Sequence, residues 1–215
     1  MGVSSLREVV ESLWDKELIV VNSHTHYDHI GSNYEFDEVF ALNHPQSVKE
    51  LNQDIENGWS SLFTDELIAS DAPGGYINDS LQFRRCNYSL IETCEFDLGD
   101  RVLKWINAPG HANNHTVLVD DKYKLVFVAD AYYRGLLYAL EGYDLNKYYH
   151  TMKMISENYP DYHMICSHNE PYAIMEEAKQ FKEMLKEILN EVLHPTLKNG
   201  YEYYTKGELR LIVKP

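Results

Sequence analysis

Residues Ser23–Ser32 read S-H-T-H-Y-D-H-I-G-S and follow directly on the apolar run Leu18–Val21. This stretch decides the fold. His24, His26, Asp28 and His29 place four metal-ligating side chains within six positions at the end of what reads as a buried strand. His24 and His26 are two apart, so in extended chain both point to one side. Asp28 and His29 come where the strand gives way to a turn and can face a second point nearby. Imidazole and carboxylate are the nitrogen and oxygen donors that suit zinc and its neighbours. A single histidine inside an apolar stretch is usually a satisfied core residue. Four such groups crowded together are different, because burying them without a cation leaves several polar groups unpaired.

The H-x-H-x-D-H run resembles the signature of the metallo-β-lactamase-fold hydrolases. The resemblance implies three further ligands at wide spacing, and each has a match. His111 stands in A-P-G-H after the strand-like Val102–Asn107; Asp130 ends the apolar strand Leu125–Ala129, where relatives usually read G-D; His168 follows Met164–Cys166 in C-S-H-N-E-P. The likeness runs from about Gly2 to the C-terminus. It implies one α+β domain over residues 1–215, built as a four-layer αββα sandwich; the hydrophobic pattern alone gives only mixed α and β. Relatives carry several strands before the first metal strand, ending in D-T-G, whereas Met1-Gly2-Val3 looks like the residues just after that motif. The expectation is therefore a chain short of its N-terminal strands, with a bare sheet edge that invites pairing with a second copy in a homodimer.

Carried over residue by residue, the resemblance gives His24, His26 and His111 to one metal and Asp28, His29 and His168 to the other. Asp130 bridges them, with the metals about 3.5–4 Å apart. Two zinc ions are the first choice for so histidine-rich a set, and iron or manganese also fits mixed imidazole and carboxylate donors. Diiron oxygen-reducing relatives carry glutamate at the position of His26, so histidine there favours hydrolysis. The implied activity is attack by a metal-bridging hydroxide on a small ester, lactone, thioester or phosphoester. Asp28 would orient that hydroxide as well as bind metal. Tyr133, in D-A-Y-Y, matches the D-A-x-Y of lactonases of this fold and is placed to donate to a developing oxyanion. The alternatives are a metal-binding protein of the same fold without turnover and a diiron redox relative. Around the motifs, Tyr27 is expected to pack or shield the site. His115 is expected to support a ligand histidine or, with Asn113, to replace turn residues. Cys166 reads as a buried strand residue and His44 as a surface one.

Composition sets outer limits. The chain has 215 residues, 44% hydrophobic and 25% charged, with a formal charge of -15. Such acidity argues against nucleic acid as a partner, since phosphate-backbone binders concentrate Lys and Arg. No apolar stretch approaches the roughly 18 residues of a membrane span. Three cysteines make no disulfide framework, and with no secretory leader the cytoplasm is the expected location.

The remaining pattern gives an order of elements. Ser5–Trp14 has helical spacing, with Leu6, Val9, Val10 and Leu13 on one face and a Ser5–Glu8 capping box. Strands are expected at Leu18–Asn22 and Val39–Leu42, then a helix from His44-Pro45 to about Leu51. Residues 53–90 show no firm period, and the expectation there is a lid or insertion. Strands follow at Ile91–Phe96, Val102–Asn107, Thr116–Val119, Leu125–Ala129 and Met164–Cys166, with a helix over Asn146–Asn158 before the last. Ile174, Ala178, Phe181, Leu185, Ile188 and Val192 mark one stripe of a long helix. Tyr201–Lys206 and Leu209–Val213 read as a hairpin about Gly207.

Overall fold

The computed structural model describes residues 5–52, 85–140 and 143–214. It divides after Ile91 into two compact units. The expected late start at Met1-Gly2-Val3 and most of the expected lid, residues 53–84, lie outside the described residues.

In the first unit, helix α1 spans Leu6–Leu13. Ser5 Oγ accepts from the Glu8 amide at 3.1 Å, which is half of the expected capping box. Other donors at this end are met from a distance. The Glu35 carboxylate accepts from Ser5 Oγ at 2.6 Å and from the Arg7 amide at 3.0 Å, satisfying donors that a helix start leaves open. The apolar face of α1 is open, since Leu6 and Val9 are exposed and Leu13 is 80% exposed. Polar capping rather than apolar packing holds this helix.

The expected strand Leu18–Asn22 forms only an extended segment with one parallel bridge, Val21 to Phe40. That segment still runs along β1 (Val39–Leu42), because Asn22 N donates to Phe40 O and Phe40 N to Val20 O, both at 2.8 Å. It leads into the four-residue helix α2 (Tyr27–Ile30) and a 3-10 turn at Asn33–Glu35. Helix α3 (Pro45–Leu51) begins with proline at its first turn, where the missing N–H costs nothing. His44 caps it by accepting from Gln46 N at 3.1 Å, so this histidine serves the scaffold. Strand β2 (Tyr88–Ile91) pairs parallel with β1, so the last residues of the segment expected as a lid belong to a sheet.

The second unit holds β3 (Glu95–Asp97), β4 (Val102–Asn107), β5 (Thr116–Asp120), β6 (Leu125–Ala129), β7 (Leu136–Ala139), α4 (Leu145–Asn158), β8 (His163–Cys166), β9 (Tyr172–Ile174), α5 (Met175–Leu189), β10 (Thr196–Lys198), β11 (Tyr201–Lys206) and β12 (Leu209–Val213). A six-stranded sheet runs β3-β4-β5-β6-β8-β9, antiparallel except where β6 and β8 run together. A four-stranded sheet runs β10-β11-β12-β7. One cluster of buried side chains joins both sheets to both helices, with Val117, Val126, Leu137 and Leu211 from strands and Tyr148 and Phe181 from helices. Among the described residues no helix is long and apolar enough to cross a membrane.

Three local expectations change. Ile91–Phe96 is not one strand: Ile91 closes β2 in the first unit and Glu95 opens β3 in the second. The alternation changes phase at Glu92-Thr93, two polar residues in succession, and that was the available mark of the change of sheet. The apolar stripe of α5 starts later and stops earlier than expected. Ile174 belongs to β9, and Val192 lies beyond the helix end at 68% exposure, while Met184 joins the core. Strands β7 and β9 were not expected; each is only three or four residues long.

Candidate metal centre

The proposed ligands divide between the units, His24, His26, Asp28 and His29 in the first and His111, Asp130 and His168 in the second. In the first unit the extended segment ends at His26, which stands at the N-cap of α2. His24 is 1% exposed, and its ring centre lies 4.6 Å from that of His26 and 4.2 Å from that of His29. The i, i+2 spacing thus brings His24 and His26 together as expected, and the turn into α2 swings His29 back beside His24. His29 Nε2 is 3.5 Å from Asp28 Oδ2.

The scaffold fixes this loop on both sides of His24. Asn22 and Asn33 exchange two side-chain amide bonds at 2.8 and 3.2 Å. Thr25 Oγ1 donates to Glu50 Oε2 on α3 at 2.5 Å. Tyr27 is exposed.

In the second unit His111 follows Gly110, which has φ +153 and whose ideal Cβ would fall 2.4 Å from Tyr148 Cα. Only glycine permits this approach of the loop to α4. His111 Nδ1 lies 2.8 Å from the Tyr138 carbonyl oxygen. A carbonyl only accepts, so Nδ1 carries a proton, and in the neutral ring Nε2 then holds the lone pair a metal requires.

Asp130 stands just past a bulge in the β6–β8 pairing, after Ala129 at φ +46. Bulges re-aim the side chains beside them. Here the result is an Asp130 Oδ2 that lies 3.5 Å from His111 Nε2 and 3.2 Å from His168 Nε2. The main chain at this corner is held from below by the fully buried Tyr148, whose hydroxyl donates to Ala131 O at 3.0 Å and Asp130 O at 3.2 Å. Burial pushes the Tyr148 phenol well above its ordinary range, so it remains a donor.

Tyr133 is 4% exposed, and its ring meets that of His168 edge-on at 5.0 Å between centres. His115 is buried, with its ring centre 5.9 Å from that of His111. Its main chain closes the turn by accepting from Ala108 N. Asn113 Oδ1 accepts from Lys147 Nζ at 3.2 Å. Cys166 is buried as expected, and burial, reinforced by Glu177, pushes its thiol up to about 12.

Three contributors escaped the sequence reading. The Tyr138 carbonyl leaves no side-chain signature, and β7 itself was not foreseen. Tyr148 is one of 17 tyrosines, with nothing in its neighbourhood to single it out. Ser167 donates its hydroxyl to Asp130 Oδ1, and its place beside His168 was the available signal.

The model of the metallo-beta-lactamase superfamily matches residues 8–168, a span that includes all seven positions. Acyl-coenzyme A thioesterase MBLAC2 of Homo sapiens is 29% identical over 137 residues, which are 63% of this chain and 49% of that protein. The chain thus spans about half the length of the curated relatives it matches. A metallo-beta-lactamase from Pontibacter korlensis superposes with a TM-score of 0.59 at 13% identity, over 86% of this chain and 80% of its own. TTHA1623, solved in a di-iron-bound form, gives 0.55 at 18% identity, over 79% and 80%. These structural likenesses establish an α+β sandwich of that fold. The histidine and aspartate clusters of the two units are of the kind a dinuclear metal site uses.

Proposed function

Because this chain belongs to the metallo-beta-lactamase superfamily, we propose that it is a dinuclear metal-dependent hydrolase that cleaves a thioester to an acid and a thiol. His24, His26 and His111 hold one metal, Asp28, His29 and His168 the other, and Asp130 both.

The observation that carries the reading is the surroundings of Asp130 Oδ2. With Nδ1 engaged by the Tyr138 carbonyl, His111 turns Nε2 toward that oxygen across 3.5 Å. A buried carboxylate oxygen facing a ring nitrogen calls for a positive charge between them, a proton or a metal ion, and the histidine-rich donor set suits the metal. His168 Nε2 stands 3.2 Å from the same oxygen. The donor set fits zinc, and the span matched by the family model takes in all seven residues.

When bound, the metals supply a water-derived nucleophile at neutral pH and polarise the carbonyl under attack. The chain's own residues do the rest. Asp28 orients the nucleophile while serving as a ligand. Tyr133, fixed against His168, donates to the carbonyl oxygen as charge develops there. The leaving thiolate departs readily because its conjugate acid has a pKa of about 8.5, so no strong acid is needed beside it. The thioester is chosen over the lactone, ester and phosphoester because the thioesterase relatives point to it. The histidine at position 26, where the diiron relatives carry glutamate, supports hydrolysis over redox chemistry.

The test is release of free thiol from acyl-coenzyme A substrates of graded chain length, read with a thiol-specific chromophore. Turnover is expected to vanish with a chelator and return with zinc. Protein loaded with zinc, and separately with iron and manganese, that releases no thiol from any of them would overturn the proposal.

A further inference from the structure

The residues on both sides of His168 reach back to the loop that carries Asp130. Ser167 donates to Asp130 Oδ1. Asn169 Nδ2 donates to the Arg134 carbonyl at 2.7 Å. Asn169 sits at φ +57, a left-handed conformation that asparagine tolerates better than most residues. Its amide also lies so close to Gly135, at φ +121, that an ideal Cβ there would come within 2.8 Å of Nδ2. The far end of the Asp130 loop is anchored in turn. Arg134 Nε and Nη2 grip the Glu177 carboxylate at 2.8 and 2.7 Å, and Glu177 Oε1 also accepts from the Ile174 amide.

We propose that Ser167 and Asn169 form a clasp that sets the angle of the Asp130 carboxylate to the His168 imidazole, and so act as positioning residues for the metal pair. The inference rests on the metal-site reading given above. A carboxylate turns about a broad torsion with no sharp minimum of its own, so anchoring one oxygen settles where the other points. With Oδ1 held by Ser167, Oδ2 is the oxygen left facing the two imidazoles, at 3.2 and 3.5 Å. Asn169 keeps the His168 loop at a fixed distance from the chain that follows Asp130. Residues that orient metal ligands in this way typically govern metal affinity by about 10–100-fold.

The experiment measures zinc affinity on the metal-free full chain by competition with a chromogenic chelator. Ser167→Ala and Asn169→Gly are each compared with the wild type and with Ser167→Thr, which keeps the hydroxyl. Asn169→Gly keeps the left-handed conformation and removes only the amide. We expect at least one of the two zinc ions to bind about 10–100-fold more weakly in Ser167→Ala and Asn169→Gly, with Ser167→Thr near wild type. The metal-free melting temperature should move by no more than about 3 °C, the effect of less than one typical contact.

Wild-type tightness in both Ser167→Ala and Asn169→Gly overturns the clasp alone. So does a Ser167→Thr variant as weak as Ser167→Ala, because the hydroxyl is then not the cause. A drop of more than about 6 °C in the metal-free variants would make the contacts structural and overturn the positioning role. A wild-type chain that takes up no zinc overturns the metal-site reading itself, before any variant is compared.

Discussion

Replacing Gly110 with alanine puts the scaffold of the second unit to a severe test. An ideal Cβ at this position would fall 2.4 Å from Tyr148 Cα, 2.6 Å from its Cβ and 2.7 Å from its Cγ. None of these is the free end of a flexible side chain, so α4 or the loop must move. The φ of +153 adds backbone strain that an L side chain does not escape. Overpacking of a tight core costs about 1–3 kcal/mol, and a residue forced into a sparsely populated conformation about 1–3 kcal/mol more. The expected loss is about 4 kcal/mol, taken from the middle of both ranges.

For a chain of this size that lowers the melting temperature by about 8–16 °C, at about 2–4 °C per kcal/mol. The damage does not stay local. Tyr148 donates to the Asp130 and Ala131 carbonyls, so a displaced Tyr148 disturbs Asp130 from one side while His111 shifts with its neighbour on the other. Thermal unfolding followed by circular dichroism reads the stability, and elemental analysis reads the metal. Gly99→Ala is the control, because Gly99 has φ +85 but nothing within 4 Å of an added Cβ. It should lose only the strain, about 1–3 kcal/mol. A Gly110→Ala protein that melts with the Gly99→Ala protein and keeps its metal would refute the argument from close approach.

Other outcomes follow from single residues. Ala129 at φ +46 carries a left-handed strain of about 1–2 kcal/mol. Ala129→Gly relieves it against about 0.4–1 kcal/mol of added chain entropy, so the melting temperature should rise by about 1–3 °C; a clear fall would contradict this. Arg134 bonded to Glu177 holds that carboxyl below its ordinary value, outweighing the burial that raises it. A depressed folded value means the stabilisation is complete above the ordinary 4.5 and fades as pH falls through the folded value. The stability gap between wild type and Glu177→Gln, measured by urea unfolding, should therefore be constant near neutral pH and shrink below 4.5; a gap that widens on acidification has the wrong sign. Burial that pushes the Cys166 thiol up to about 12 predicts that native protein at pH 8 is alkylated at exposed Cys94 and spared at Cys166. Equal labelling of the two, read by peptide mass spectrometry, would contradict the buried assignment.

The proposed ligands were named from the sequence on two grounds. Strand periodicity puts His24 and His26 on one side, and the resemblance of the H-x-H-x-D-H run to the family signature pointed to His111, Asp130 and His168 after apolar runs. The strands β1, β4, β5, β6 and β8 and the helices α4 and α5 were legible as periods that survive over several residues. What escaped has physical causes. The segment before His24 bridges at only one residue, so its apolar run overstated the strand. The apolar face of α1 shows in the spacing, but spacing cannot say what, if anything, packs against it. The Glu35 carboxylate that holds α1 is 30 residues from Ser5, beyond any local pattern. The break between Ile91 and Glu95 is marked only by a change of phase at Glu92-Thr93, which is easily read as one strand. Ser167 and Tyr138 act through one hydroxyl and one carbonyl, and neither shows until the chain is folded.

The account depends most directly on two metals held by residues from both halves of the chain. Elemental mass spectrometry of zinc-reconstituted protein, with Asp130→Ala measured beside it, tests this in one step. Two metal ions per wild-type chain are expected for a dinuclear site, falling to one or none in Asp130→Ala. A wild-type chain that holds no metal after zinc is offered, or an Asp130→Ala chain that holds as much as wild type, would contradict it.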